Sequence, residues 1–469
     1  MLNRTLSIAV LALFCVPGSA HGQRPDTVPI SIADAVTRTL RESDEVRIAA
    51  AQIDVTEAQF TQARSAALPT LRLNTNYTQV TKNARAAIVS SLFGQSHTYV
   101  SSLNLSQPLF QGGRLWAAAR AAGGARAASK QTLAETRAQL SVDAQRAYLG
   151  AVLARELVII QERNARLADA RLAQVQQLES AGRASRYDVL KARVDRANLE
   201  PGLQQARSDR ELADIELRQL LNLPNDAPIA LTTELDTAAL RTTVRAIAAD
   251  GARVALRPAV RAAQMTLDAR REGVRIARAE FMPTVNAFFQ TGFTALPASS
   301  GFPTVWGSTS ASNCPAGSPQ GQRCQNNGWY PDRQFGMQVQ WFLFDGLRAK
   351  GSVDLAQANE RIARTQLEQQ REAVAVEQAQ ARAEFARAEA TFEAQGQNAT
   401  EADEAYRIAA LRFERGLSTQ LEVTDAQLAL FTARVNAARA NIDYYLAVAE
   451  LARALGHDVP LPPTRPASR

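Results

Sequence analysis

The residues describe a mainly α chain with a membrane β-barrel. Each subunit supplies long coiled-coil-like helices and four strands, and a trimer assembles twelve strands. Three observations lead there: the sequence is internally duplicated, it holds two stretches of about 69 residues without proline, and four runs of about ten residues alternate as membrane strands do.

Composition sets the frame. Aromatics are only 6% of 469 residues, and Cys and His number three each, so neither a compact aromatic core nor a metal centre is expected. Ala, Arg, Gln, Glu and Leu dominate, a mix that favours long helices with thin apolar seams. The net charge of +7 is dispersed: Arg361 and Arg364 are followed by Glu368 and Glu372. That is the pattern of a solvated helix face, not of a nucleic-acid surface. No nucleophile–base arrangement, phosphate loop or cofactor motif is present, so neither catalysis nor a cofactor is expected.

Residues 1–22 read as a signal peptide. Arg4 precedes an apolar run from Leu6 to Val16, and Pro17-Gly18-Ser19-Ala20 offers a small-residue cleavage site. Cys15 follows Phe14, where a lipoprotein signal has a small residue, and belongs to the discarded segment. No later stretch reaches the roughly 18 continuous apolar residues of a transmembrane helix, so any membrane passage is made by strands.

The duplication orders the rest. Leu68-Pro69-Thr70 and Met282-Pro283-Thr284 open strand-like stretches 214 positions apart. Leu109-Phe110-Gln111-Gly112 then matches Leu343-Phe344-Asp345-Gly346 at an offset of 234, as Gly182 matches Gly416 and Leu220-Leu221-Asn222 matches Ala454-Leu455-Gly456. An insertion of 20 residues between about 295 and 333 reconciles the two offsets. The first repeat is 23–222 with a hairpin at 71–109, and the second is 253–456 with a hairpin at 284–344. A connector, 223–252, joins them, and 457–469 forms a tail.

In the strands, Val285, Ala287, Phe289, Thr291 and Phe293 alternate with Asn286, Gln290 and Gly292. Phe335, Met337, Val339, Trp341 and Leu343 alternate with Gln334, Gly336, Gln338 and Gln340, in a strand expected over 334–344. The first hairpin sets Leu71, Leu73, Thr75 and Tyr77 against Arg72, Asn74 and Asn76, and Tyr99, Leu103 and Leu105 against Ser102, Asn104 and Ser106. A soluble half-buried sheet has the same period; the signal peptide and the repeat favour a membrane. Four strands cannot close a barrel, and lipid does not tolerate open edges. Two copies give eight strands, an interior just filled by side chains, whereas three give twelve and leave a wet pore.

The long helices, about 112–180 and 346–414, would each run roughly 100 Å. Shorter helices are expected at 31–66, 187–222, 253–281 and 419–455, and stacked in pairs they match the long ones. The break between stacked helices falls at mid-height, where the connector, the mature N-terminus and the tail would gather as an equatorial belt.

This layout resembles the TolC-type outer membrane factor family over nearly the whole mature chain, from about Ile30 to Gly456. The resemblance rests on the junctions Gln107-Pro108-Leu109-Phe110-Gln111-Gly112-Gly113 and Trp341-Phe342-Leu343-Phe344-Asp345-Gly346, and on two glycine tips each followed by Ser or Thr three residues on. It implies a homotrimeric outer-membrane exit channel with a twelve-stranded barrel and a periplasmic α-barrel. Such channels serve tripartite efflux pumps or type I secretion systems, through a periplasmic adaptor and an inner-membrane pump.

At the tips, Gly182 and Gly416 suit a reversal with φ > 0, and Ser185 and Thr419 suit the N-caps of the returning helices. By resemblance the tips, Gly182, Arg183 and Ser185 in one and Arg415, Gly416, Leu417, Ser418 and Thr419 in the other, would also meet the adaptor. Arg183 stands where the family has an apolar residue. Asp188, Glu422 and Asp425 fall in the first turns of the returning helices, where the helix dipole favours acids. By resemblance they line the closed periplasmic entrance as rings of carboxylates. Glu422 replaces a usual Asp, and Ser418 stands where some relatives carry a locking Arg, so the closed state is expected to be held differently. Cys314 and Cys324, in the inserted loop, are expected to form a disulfide in an exported protein. The competing readings are a periplasmic adaptor, which would have one hairpin and no membrane strands, and a structural coiled coil, which would not need the junction motifs.

Overall fold

The structure is a computed structural model that describes residues 28–81, 97–233, 235, 240, 257–295, 305–306 and 328–462. The signal segment, most of the connector and the Cys314–Cys324 loop lie outside the described residues.

The first half runs β1 (Val28–Ile30), α1 (Ile32–Glu42), α2 (Asp44–Ser65), β2 (Thr70–Gln79), β3 (His97–Gln111), α3 (Arg114–Ser180), α4 (Arg186–Ala197), α5 (Leu199–Leu220) and β4 (Ile229–Leu231). The second runs α6 (Pro258–Arg278), a 3₁₀ turn (Ala279–Phe281), β5 (Thr284–Ala295), β6 (Val305–Trp306), β7 (Gly328–Gln340), α7 (Arg348–Glu414) and α8 (Gln420–Leu455).

Two expected helices are each divided, and local chemistry divides them. Within 31–66, Ser43 takes an extended conformation and its hydroxyl accepts from Val46 N, capping a new helix. Within 187–222 the break falls at Asn198. Pro201 has no N–H to donate, and its ring crowds the carbonyl four residues back, at Ala197. The second return strand is also displaced: it spans Gly328–Gln340 and not 334–344. Trp341 has left the ladder, and its indole N–H donates to the Phe281 carbonyl at 3.1 Å.

The sheet order is β2-β3-β5-β7, with β6 alongside the start of β7. Its antiparallel register stacks Leu71, Leu105, Phe289 and Phe335 in one row, while the next row holds Arg72, Asn104, Gln290 and Gln334. Side chains alternate between faces along a strand, so the apolar sets of all four strands share one face and the amides share the other. Leu71, Leu73, Phe335, Met337 and Val339 are all more than 60% exposed on the apolar face. An exposed apolar face of this extent is matched by hydrocarbon, not water. On the polar face Gln334 Nε2 donates to Gln290 Oε1 at 2.7 Å.

Below the sheet, α3 and α7 each contain 67 residues. Each is entered through two consecutive left-handed residues, Gly112-Gly113 and Gly346-Leu347. At Gly112 a Cβ would also fall 2.6 Å from Met282 Cβ, so this position requires glycine twice over. In the half nearest the sheet the helices lie in the order α2-α3-α6-α7, and in the far half α5-α3-α8-α7. The two lateral edges are therefore β2 with α2 and α5 on one side, and β7 with the unbroken α7 on the other.

The halves meet at mid-height. β1 pairs in parallel with β4, Val28 opposite Ile229, and the Tyr148 hydroxyl donates to the Ile30 carbonyl at 2.9 Å. Tyr148, Leu149, Leu217, Leu221, Tyr444 and Val448 form the core there. Gln145 Nε2 donates to the Pro460 carbonyl at 3.1 Å, binding the tail into the same belt. Arg257, 2% exposed, donates to Glu135 at 2.5 Å, to Glu377 at 3.1 Å and to the Ala454 carbonyl at 3.2 Å, uniting α3, α7 and α8 at the start of α6. Arg453 also pairs with Glu377, and the coulombic pull of Glu377 and Glu450 holds its guanidinium pKa above the ordinary value despite burial.

Candidate functional site

Both tips are built by the same backbone device. α3 ends with Gly182 at φ 72°, where Arg183 N donates to the Leu178 carbonyl at 2.7 Å. α7 ends with Gly416 at φ 75°, where Leu417 N donates to the Arg412 carbonyl at 2.8 Å. These six-residue closures satisfy the last carbonyls of each helix and turn the chain back. The returning helices begin at extended Ser185 and Thr419. Ser185 makes a full capping box: its hydroxyl accepts from Asp188 N, and Asp188 accepts from Ser185 N at 3.0 Å and from the Ser185 hydroxyl at 2.7 Å. Those bonds, the hydroxyl first, hold the Asp188 carboxyl below its ordinary range. Thr419 caps Glu422 N at 3.3 Å.

Gly182, Arg183, Ser185, Arg415, Gly416, Leu417 and Thr419 are exposed, and Ser418 is half-buried with its hydroxyl facing the Ala409 carbonyl at 3.4 Å. Glu422 and Asp425, three apart on α8, are exposed on one face, while Val423, Gln427 and Leu430 form its buried stripe. Asp188 is half-buried, and Gln420 Nε2 reaches its carbonyl at 3.5 Å. The structure thus brings the start of α8 beside Asp188. Cys314 and Cys324 lie outside the described residues.

Sequence reading missed the link that joins the tips. Arg171 on α3 is buried, and it donates to the Gln420 carbonyl at 2.8 Å and to Gln427 Oε1 at 3.3 Å. Gln427 Nε2 in turn donates to Asn164 Oδ1 at 2.8 Å. Burial pulls the Arg171 guanidinium pKa down, and burial likewise pushes the neighbouring Tyr406 phenol up. One arginine among many on a helix gives no signal in sequence; only packing selects it. Above the tips, α3, α7 and α8 line an open groove of about 620 Å³.

Among the described residues no cluster of ligands suits a metal ion, and no helix is long and apolar enough to cross a membrane. The family model of outer membrane efflux proteins matches residues 35–223 and 253–457. No curated protein gives a significant match. Solved structures share the fold. The chain is 18% identical to the channel-forming CusC over 91% of this chain and 92% of that one, with a TM-score of 0.74. It is 19% identical to the outer membrane protein VceC of Vibrio cholerae, covering 92% and 97%, with a TM-score of 0.73. For the outer membrane channel CmeC of Campylobacter jejuni the identity is 16%, the coverage 91% and 85%, and the TM-score 0.72. A profile match over both halves, joined to a lipid-ready sheet and two 67-residue helices, places the chain in the outer membrane with its helical body in the periplasm: it belongs to the outer membrane efflux protein family.

Proposed function

We propose that three copies of this chain form the passive exit duct of a tripartite efflux or type I secretion system, with drug-type cargo favoured by analogy with the family. The observation that carries the proposal is the sheet register, which gives every strand one apolar and one amide face. A closed barrel of such strands is apolar outside and wet inside. The lateral helix edges support the three-copy ring. Leu355 and Ile362 on α7, and Ile48 and Val55 on α2, are exposed apolar residues seven apart on the two opposite edges. Seven-residue spacing is the seam of a coiled coil, so α7 of one copy packs on α2 of the next.

In this reading the tips, Gly182 to Ser185 and Arg415 to Thr419, receive a periplasmic adaptor and through it an inner-membrane pump. Asp188, Glu422 and Asp425 narrow the entrance, each repeated three times. The signal peptide ends near residue 22, and Cys314 pairs with Cys324. The chain conducts and does not catalyse.

Single-channel conductance in a planar bilayer tests the proposal. Small wild-type currents that grow in Glu422→Ala/Asp425→Ala are expected. Equal, large currents would keep the duct and remove these acids from its gate. No current from either protein, with insertion independently confirmed, would remove the duct.

A further inference from the structure

The groove above the tips has the makings of a ligand site that the duct itself does not use. Its volume of about 620 Å³ lies in the range of small-molecule sites. Leu167 of α3, Leu411 of α7 and Leu430 of α8 give it apolar walls. Four guanidiniums line it, those of Arg163, Arg166, Arg407 and Arg434, against the two carboxylates of Asp403 and Glu414.

The pairing of these charges matters more than their number. Arg407 donates to Glu404 at 2.8 Å, and Arg434 is paired with Asp403. Arg163 and Arg166, three apart on one face of α3, have no ion-pair partner among the described residues. Two unpaired guanidiniums beside an apolar wall offer planar donor forks to an oxyanion and a surface to the body that carries it. The Tyr406 phenol adds a polar edge to the same wall.

We infer that this groove binds amphipathic organic anions, a carboxylate or sulfonate on an aromatic or alicyclic body, with Arg163 and Arg166 holding the anionic group. The ligand spans α3 and α7 over the α8 floor. Its site lies inside one protomer's helix layer and away from the exposed face that carries Glu422 and Asp425.

Equilibrium dialysis of naphthalene-2-sulfonate against the full chain in lipid nanodiscs, with empty nanodiscs as blank, tests this. Saturable binding of one sulfonate per protomer is expected, with 2-naphthalenemethanol, the uncharged counterpart, about tenfold weaker. Arg163→Gln/Arg166→Gln should weaken the sulfonate by about tenfold, and Arg163→Lys/Arg166→Lys, which keeps the charges but loses the planar forks, should weaken it by a smaller factor. Unchanged thermal melting of the glutamine variant shows that its fold is intact. Equal sulfonate binding by the glutamine variant, equal binding of the alcohol, or no wild-type binding above the blank would each overturn the inference. Conductance of the glutamine variant should match wild type, so these outcomes are read separately from those of the duct.

Discussion

Gly113 and Leu347 occupy the same step of the two halves, and both hold left-handed backbone, at φ 81° and 69°. Glycine does so freely, whereas a leucine carries steric strain there, on the order of 1 kcal/mol. Leu347 is 67% exposed in the single chain, so little packing compensates. Leu347→Gly is therefore expected to stabilise the protein by about 1 kcal/mol, and Gly113→Leu to cost a similar amount. Unfolding midpoints of the two variants against wild type check the pair.

The Ser185–Asp188 box makes the first tip sensitive to acid. The hydrogen bonds from Ser185 depress the Asp188 pKa below its ordinary value in the folded protein. Its contribution is thus complete above the unfolded pKa and is lost as pH falls through the lower folded one. Ser185→Ala should cost the cap about 1 kcal/mol and return Asp188 toward the ordinary carboxylate range. Titration of the Asp188 carboxyl by NMR, with amide exchange at the tip, reads both effects.

Arg257 should be costly to remove. It is buried between Glu135 and Glu377, so Arg257→Ala leaves those two carboxylates to share Arg453 alone at the belt. A loss of about 2–3 kcal/mol is expected, below the cost of a wholly unpaired buried charge, and adding Glu135→Gln with Glu377→Gln should recover part of it. Chemical denaturation of the three proteins provides the comparison.

The edge seam predicts assembly behaviour. Leu355→Asp/Ile362→Asp places charges on the α7 edge without touching the protomer's own core. The ring should fall apart, and light scattering in detergent should give the mass of one chain. A mass still three times that of the chain would reject this seam.

Much of the fold is written in short-range patterns. Alternation in 284–294 puts Phe289 and Asn286 on opposite faces, and the register agrees with it. Long proline-free stretches gave α3 and α7. Pattern and structure part where a local choice competes with the period. Trp341-Phe342-Leu343-Phe344 continues the apolar run but follows the end of β7, because Trp341 bonds the Phe281 carbonyl instead of a neighbouring strand. Ser43 and Pro201 divide helices whose periodicity runs through them. The pairing of β1 with β4 joins residues about 200 positions apart through three-residue strands, too short to carry any period. Among site residues, the tip glycines and caps are legible because turns and N-caps demand particular residue types. Arg171 and the free pair Arg163 and Arg166 are not, because their roles depend on which helices lie against them.

The unlike lateral edges have a genetic consequence. In a head-to-tail ring each subunit gives its β2–α2 edge to one neighbour and its β7–α7 edge to the other. A subunit damaged on α7 alone still presents a sound α2 edge, so it enters a growing ring and then blocks the last join. When damaged and normal copies are made in equal amounts, only about one ring in eight escapes. Alleles that alter a single edge should therefore be dominant, while alleles that prevent folding should be recessive.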